Sequence, residues 1–122
     1  MYEVSVKGHF DAAHYLREYG GRCENLHGHR FEVVVTVKTL ELDKRGLAFD
    51  FTELRGHLNE ALARFDHVCL NEIEPFRDIN PSSENIASTL YKELRDRLAG
   101  TSASLSSVQV AESPEAFVTY TP

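Results

Sequence analysis

Two stretches of this chain alternate apolar and polar residues with a period of two, and both carry histidine at one end of the apolar face. In the first, Tyr2, Val4, Val6, Gly8, Phe10, Ala12 and His14 share one parity, while Glu3, Ser5, Lys7, His9 and Asp11 take the other. In the second, Phe31, Val33, Val35 and Val37 are apolar at odd positions. That period belongs to strands that bury one face. Extending the second parity backward puts His27 and His29 on the same face, one pleat repeat or about 6–7 Å apart. A chain that buries these faces together must bring imidazoles to the end of its core.

The first strand covers residues 2–14 and the second about 26–40, with Tyr19-Gly20-Gly21-Arg22 as the loop between them. Asp43-Lys44-Arg45-Gly46 turns the chain. Asp50-Phe51-Thr52-Glu53 has the form of a capping box, and Leu54, Leu58, Leu62 and Phe65 then recur at helical spacing, predicting a helix over 52–65. Residues 66–80 read as irregular. A second helix opens at Pro81-Ser82-Ser83-Glu84, carries the stripe Ile86, Leu90, Leu94 and Leu98, and stops at Gly100. Val108, Val110 and Glu112 share a strand face, Ser113-Pro114-Glu115 turns, and Ala116, Val118 and Tyr120 alternate. The order ββααββ predicts an α+β fold: an antiparallel four-stranded sheet with two helices on one face. Its open edges favour oligomerisation by edge pairing.

At 122 residues the chain is expected to form one domain, residues 1–122. The formal charge of −6 argues against a nucleic-acid-binding surface. No apolar run approaches the ~20 residues needed to span a bilayer, so no membrane partner is expected. Two cysteines are too few for a disulfide framework, and the amino-terminal residues lack the charged-then-apolar layout of a signal. The expected location is the cytoplasm.

His14, His27 and His29 fall on the apolar faces of two neighbouring strands, where they can converge on one metal ion. Three neutral histidines with an open position is the arrangement of catalytic zinc, although imidazole also suits iron, copper and nickel. His9 has the opposite parity and His57 sits off the leucine stripe; both read as surface residues. Cys23 has three readings from spacing alone: a fourth ligand closing a structural site of one cysteine and three histidines, a base or nucleophile beside a cation, or an inert loop thiol. Cys69, between Val68 and Leu70, reads as a small packed hydrophobe. Asp66-His67 alone is a helix-end pair, and Glu84 a first-turn carboxylate. Glu112 is more unusual, because a carboxylate on an apolar-parity face needs a partner.

Four motifs occur in order: Phe10-Asp11-Ala12-Ala13-His14, Cys23-x-x-x-His27-Gly28-His29, Leu62-x-x-x-Asp66-His67-x-x-Leu70-Asn71 and Asn80-Pro81-Ser82-Ser83-Glu84-Asn85. Together they resemble the 6-pyruvoyltetrahydropterin synthase superfamily, and within it the bacterial 6-carboxytetrahydropterin synthases of queuosine (7-deazaguanine) biosynthesis. The resemblance implies the tunnelling fold (T-fold), with sheets joined edge to edge into a multi-subunit barrel. It also implies a homohexamer of two stacked trimers, with active sites at subunit interfaces. It implies one Zn2+ per subunit on His14, His27 and His29, and Cys23 as proton acceptor. His67, helped by Asp66 and Glu112, would be the second acid–base system, and Glu112 would also anchor the amino-pyrimidine edge of the pterin.

The implied substrate is 7,8-dihydroneopterin triphosphate, converted without nicotinamide or flavin to 6-carboxy-5,6,7,8-tetrahydropterin with release of acetaldehyde and triphosphate. A pyruvoyl synthase would instead keep the three-carbon side chain. The short chain, the Ala12-Ala13-His14 wording and the Asn80–Asn85 motif favour the carboxy enzyme. A third relative, in folate synthesis, has glutamate where this chain has Cys23. Readings from other classes are a non-enzymatic zinc module closed by Cys23 and the three histidines, and a His-x-His metal-dependent oxygenase.

Overall fold

Both alternating runs are strands along nearly their whole predicted length in the computed structural model, which describes residues 1–122. The element order is β1 (Tyr2–His14), β2 (His27–Thr39), α1 (Phe51–Leu62), β3 (Val68–Cys69), α2 (Ser83–Leu98), β4 (Ser104–Ser113) and β5 (Ala116–Tyr120). β1 and β2 are antiparallel, with Val6 opposite Val35, Phe10 opposite Phe31, Ala12 opposite His29 and His14 opposite His27. β4 adds to the other side of β2, setting Val33 against Val110 and Val35 against Val108, and β5 closes a hairpin with β4. The parity read from sequence is thereby converted into one continuous apolar face.

The sheet has five strands, in the order β3-β1-β2-β4-β5, rather than the expected four. The additional strand, β3, lies inside the segment read as irregular and runs parallel to β1, with Val68 beside Ala12 and Cys69 beside Ala13. Two residues are too short a run for any periodicity to register. The fold class is the α+β arrangement expected.

Both helices pack on the apolar face, α1 against β1 and α2 against β4 and β5. Leu54, Leu58, Ile86, Leu90 and Leu94 are fully buried, so the two stripes supply the upper half of the core. Gly8 lets α1 approach closely: a Cβ there would stand 3.0 Å from Leu58 Cδ2 and from Leu62 Cδ1. The α-helical part of α1 ends at Leu62 rather than residue 65, and Ala63–Phe65 tightens into a 3-10 turn. That turn keeps Phe65 in the core, 5.5 Å from the Phe10 ring and 6.0 Å from Phe76 between centroids. Asp50 caps α1 by accepting the Thr52 N–H at 2.7 Å, without a reciprocal bond from Glu53, so half of the capping box forms. Ser82 caps α2 through the Asn85 N–H at 3.1 Å.

The opposite sheet face is polar. Ser5 pairs with Thr36, Lys7 with Glu32, and Arg30 with Asp11. No helix is long and apolar enough to cross a membrane.

Because Leu58 is fully buried and Leu40 is 72% exposed, the two truncations should separate cleanly. Leu58→Ala is expected to lower unfolding free energy by about 2–5 kcal/mol. Leu40→Ala should change it by less than about 0.5 kcal/mol. Urea unfolding at matched protein concentration reads both values.

Candidate metal and acid–base site

The antiparallel register of β1 and β2 carries their histidines to one end of the core. The ligand nitrogens of His14, His27 and His29 all lie within 4.8 Å of one another. His14 is 1% exposed, while His27 and His29 are half-buried. His14 Nδ1 donates to the Pro81 carbonyl at 2.7 Å, and His27 Nδ1 donates to the Asn25 carbonyl at 2.6 Å. A carbonyl only accepts, so Nδ1 carries the proton in both rings and each Nε2 presents a lone pair. His14 Nε2 is buried with no hydrogen-bond partner. An orphaned lone pair aimed among two further imidazoles fits a cation, since neutral imidazoles held by carbonyls through the other nitrogen are the usual donor set. Burial pushes the His14 imidazole down from its ordinary pKa, against the opposing pull of the Pro81 carbonyl and Glu112.

Glu112 closes one side of this group. Its two carboxylate oxygens stand 3.7 Å from His14 Nε2 and 3.8 Å from His29 Nε2, beyond direct hydrogen bonding. Ser83 Oγ donates to Glu112 Oε1 at 3.2 Å, giving this half-buried carboxylate its partner. Three consecutive residues at the start of α2 thus do three jobs. The Pro81 carbonyl orients His14, Ser82 caps the helix, and Ser83 holds Glu112.

Asp66 and His67 form a second group with Asp11. Asp66 Oδ1 accepts the Asp11 N–H at 2.9 Å, and the His67 N–H donates to the Asp11 carbonyl at 2.6 Å. His67 meets that bond in a left-handed conformation, φ 59°, uncommon for a residue with a Cβ. Its Nδ1 lies 2.9 Å from Asp66 Oδ2, and the ring is 79% exposed. The Asp11 amide, and then His67, hold the Asp66 carboxyl below its usual range. The Arg30 guanidinium does the same for Asp11 through bonds of 3.0 and 3.1 Å. Asp11, Arg30, His29, His67 and Cys69 line an open hollow of about 520 Å³.

Cys23 lies half-buried on the turn Arg22–Glu24, and its sulfur is not part of the three-histidine group. The arrangement within the protomer is therefore three nitrogens without the sulfur that would close a four-ligand cage. Cys69 is half-buried and borders the hollow instead of packing in the core. His9 is exposed, His57 is half-buried on α1, and Glu84 is exposed in the first turn of α2; none joins either cluster. Periodicity missed the supporting groups: the Pro81 and Asn25 carbonyls and Ser83. The available signal was the Asn80–Asn85 motif, whose short polar residues around Pro81 read by themselves only as a helix start.

The profile of the 6-pyruvoyl tetrahydropterin synthase family matches residues 3–122. A 6-carboxy-5,6,7,8-tetrahydropterin synthase of Bacillus subtilis is 31% identical over 99% of this chain and 86% of its own. One from Synechocystis is 34% identical over 92% of this chain and 87% of its own. A dihydroneopterin monophosphate aldolase of Pyrococcus furiosus is 35% identical over 80% of this chain and 78% of its own. The Caenorhabditis elegans 6-pyruvoyl tetrahydropterin synthase structure matches with a TM-score of 0.88 at 26% identity, covering 99% of this chain and 95% of that one. With its tunnelling fold and this near-complete correspondence, the chain belongs to the 6-pyruvoyl tetrahydropterin synthase family of enzymes.

Proposed function

We propose that this protein is a zinc-dependent 6-carboxy-5,6,7,8-tetrahydropterin synthase of queuosine biosynthesis. It would convert 7,8-dihydroneopterin triphosphate and water to the carboxypterin, acetaldehyde and triphosphate. The observation that carries the reading is the orphaned His14 Nε2 among three converging imidazoles, bordered by Glu112. The carboxy product is favoured over the pyruvoyl one by the relatives of that name at 31% and 34% identity over nearly the whole chain.

His14, His27 and His29 would hold the ion, with Pro81 and Asn25 keeping two of the rings from turning. Bound there, zinc supplies Lewis-acid polarisation and a template for the substrate's side-chain oxygens. Cys23 takes the carbon-bound proton beside the pterin ring. His67, oriented by Asp66, moves the second proton as triphosphate leaves. Glu112, held by Ser83, pairs with the amino-pyrimidine edge and assists the proton transfers. The chain acts as one domain, residues 1–122, in the cytoplasm. It assembles by its sheet edges into a hexamer of two trimers, a reading supported by the open outer edges of β1 and β5.

The test is to incubate zinc-loaded protein with dihydroneopterin triphosphate and follow acetaldehyde, triphosphate and pterin mass. Acetaldehyde in step with triphosphate is expected. Triphosphate release with the side chain retained would make the protein a pyruvoyl synthase. Turnover of the monophosphate alone would align it with the Pyrococcus relative, and no release of triphosphate would count against both synthase readings.

Two variants divide the roles. Cys23→Ala should keep one zinc per chain by elemental analysis while turnover falls about 10²–10⁴-fold; loss of zinc instead would indicate a structural cage. His27→Ala should weaken zinc binding by about tenfold or more, read by competition with a chromogenic chelator. Undiminished affinity would remove His27 from the ligand set.

A further inference from the structure

The ladder between β1 and β2 ends at His14 paired with His27, and the next three residues have no strand beside them. Two asparagine side chains take its place. Tyr15 N–H donates to Asn71 Oδ1 at 3.0 Å, and Asn71 Nδ2 donates to the Tyr15 carbonyl at 3.0 Å. Two residues on, Arg17 N–H donates to Asn80 Oδ1 at 2.8 Å, and Asn80 Nδ2 donates to the Arg17 carbonyl at 3.0 Å. A primary amide offers the same donor and acceptor as a peptide group. The pair therefore imitates a neighbouring strand at alternate residues.

Leu16, between the clamped residues, donates its N–H to the carbonyl of Cys23 at 2.6 Å. The other backbone bonds of the Cys23 turn are internal to it, Glu24 to Gly21 and Asn25 to Arg22. Leu16 is thus the backbone tie between the turn and the end of β1. The clamp is itself anchored. Asn71 is 5% exposed, Asn85 Nδ2 donates to the Asn80 carbonyl at 2.8 Å, and the Arg17 guanidinium donates to the carbonyls of Phe76 and Ile79.

We infer that Asn71 and Asn80 are positioning residues, which set where Cys23 stands by holding Tyr15 and Arg17 on either side of Leu16. The inference rests on Cys23 being the base proposed above. Neither asparagine needs to touch substrate; each acts through the segment it clamps.

Asn80→Ala is the principal test, because Asn80 is half-buried and easier to replace than buried Asn71; Asn71→Ala is the second variant and Asn80→Asp the conservative one. In folded Asn80→Ala, hydrogen exchange of the peptide covering residues 15–26 should accelerate about tenfold or more. Iodoacetamide should alkylate Cys23 faster, with Cys69 as internal reference, and zinc per chain should stay unchanged. Turnover should fall about 10–100-fold in kcat with KM within about twofold, the pattern of a misplaced reacting group. Asn80→Asp, which keeps an acceptor for the Arg17 N–H, should lie between wild type and alanine on every readout. Unchanged exchange and alkylation in folded Asn80→Ala would overturn the clamp, as would a loosened segment with undiminished kcat. Full turnover in Cys23→Ala would overturn the base assignment and the positioning role with it. That failure is distinguishable, because residues 15–26 would still loosen in Asn80→Ala.

Discussion

The hydrogen bond from His14 Nδ1 to the Pro81 carbonyl joins the end of β1 to the start of α2 inside the core. Much of the candidate site depends on it. It satisfies one nitrogen of a ring that is 1% exposed and leaves the other as a lone pair facing His27 and His29. It also ties the ring to the residue just before the N-cap of α2. From that start, Ser82 caps the helix and Ser83 reaches Glu112 on β4. One buried bond therefore coordinates three elements. Breaking it would leave an imidazole and a carbonyl unsatisfied in apolar surroundings, which is costly.

Sheet register supplies the rest of the geometry. With Phe10 opposite Phe31, the imidazoles at 14, 27 and 29 fall where the aromatic layer ends, and His14 and His29 both rest against Phe31. A one-residue slip of β2 against β1 would turn His27, His29 and Phe31 to the polar face, away from His14. The hydrophobic packing that holds the register is also what holds the nitrogens together.

The sheet, the helices and the convergence of His14, His27 and His29 were legible because each leaves a periodic trace. Parity alone carries the histidines to one face, and the leucine stripes at 54–62 and 86–98 carry the helices. β3 was not legible, because two residues hold no period. Nor was the left-handed turn at His67, since nothing in Asp66-His67 marks a positive φ; only the Asp11 backbone bonds on both sides explain it. The supporting groups were hidden for a different reason. Backbone carbonyls have no residue identity, and Asn71 and Asn80 reveal their duty only once the backbone they face is known.

The exposure of His67 has its own logic. A ring that is 79% exposed stands open to bulk water, which is a poor setting for directed acid–base work. Yet its position along β1 is particular. The outer edge of β1 is unpaired before Asp11, and from Asp11 onward it is closed by Asp66, His67 and β3. A strand added to that open edge would end against His67. Assembly through the edges, as proposed, would then do two things at once: cover unpaired backbone and exclude water from the histidine at its end. The protomer alone brings the three nitrogens together, whereas Asp66 and His67 would gain cover only in the proposed assembly.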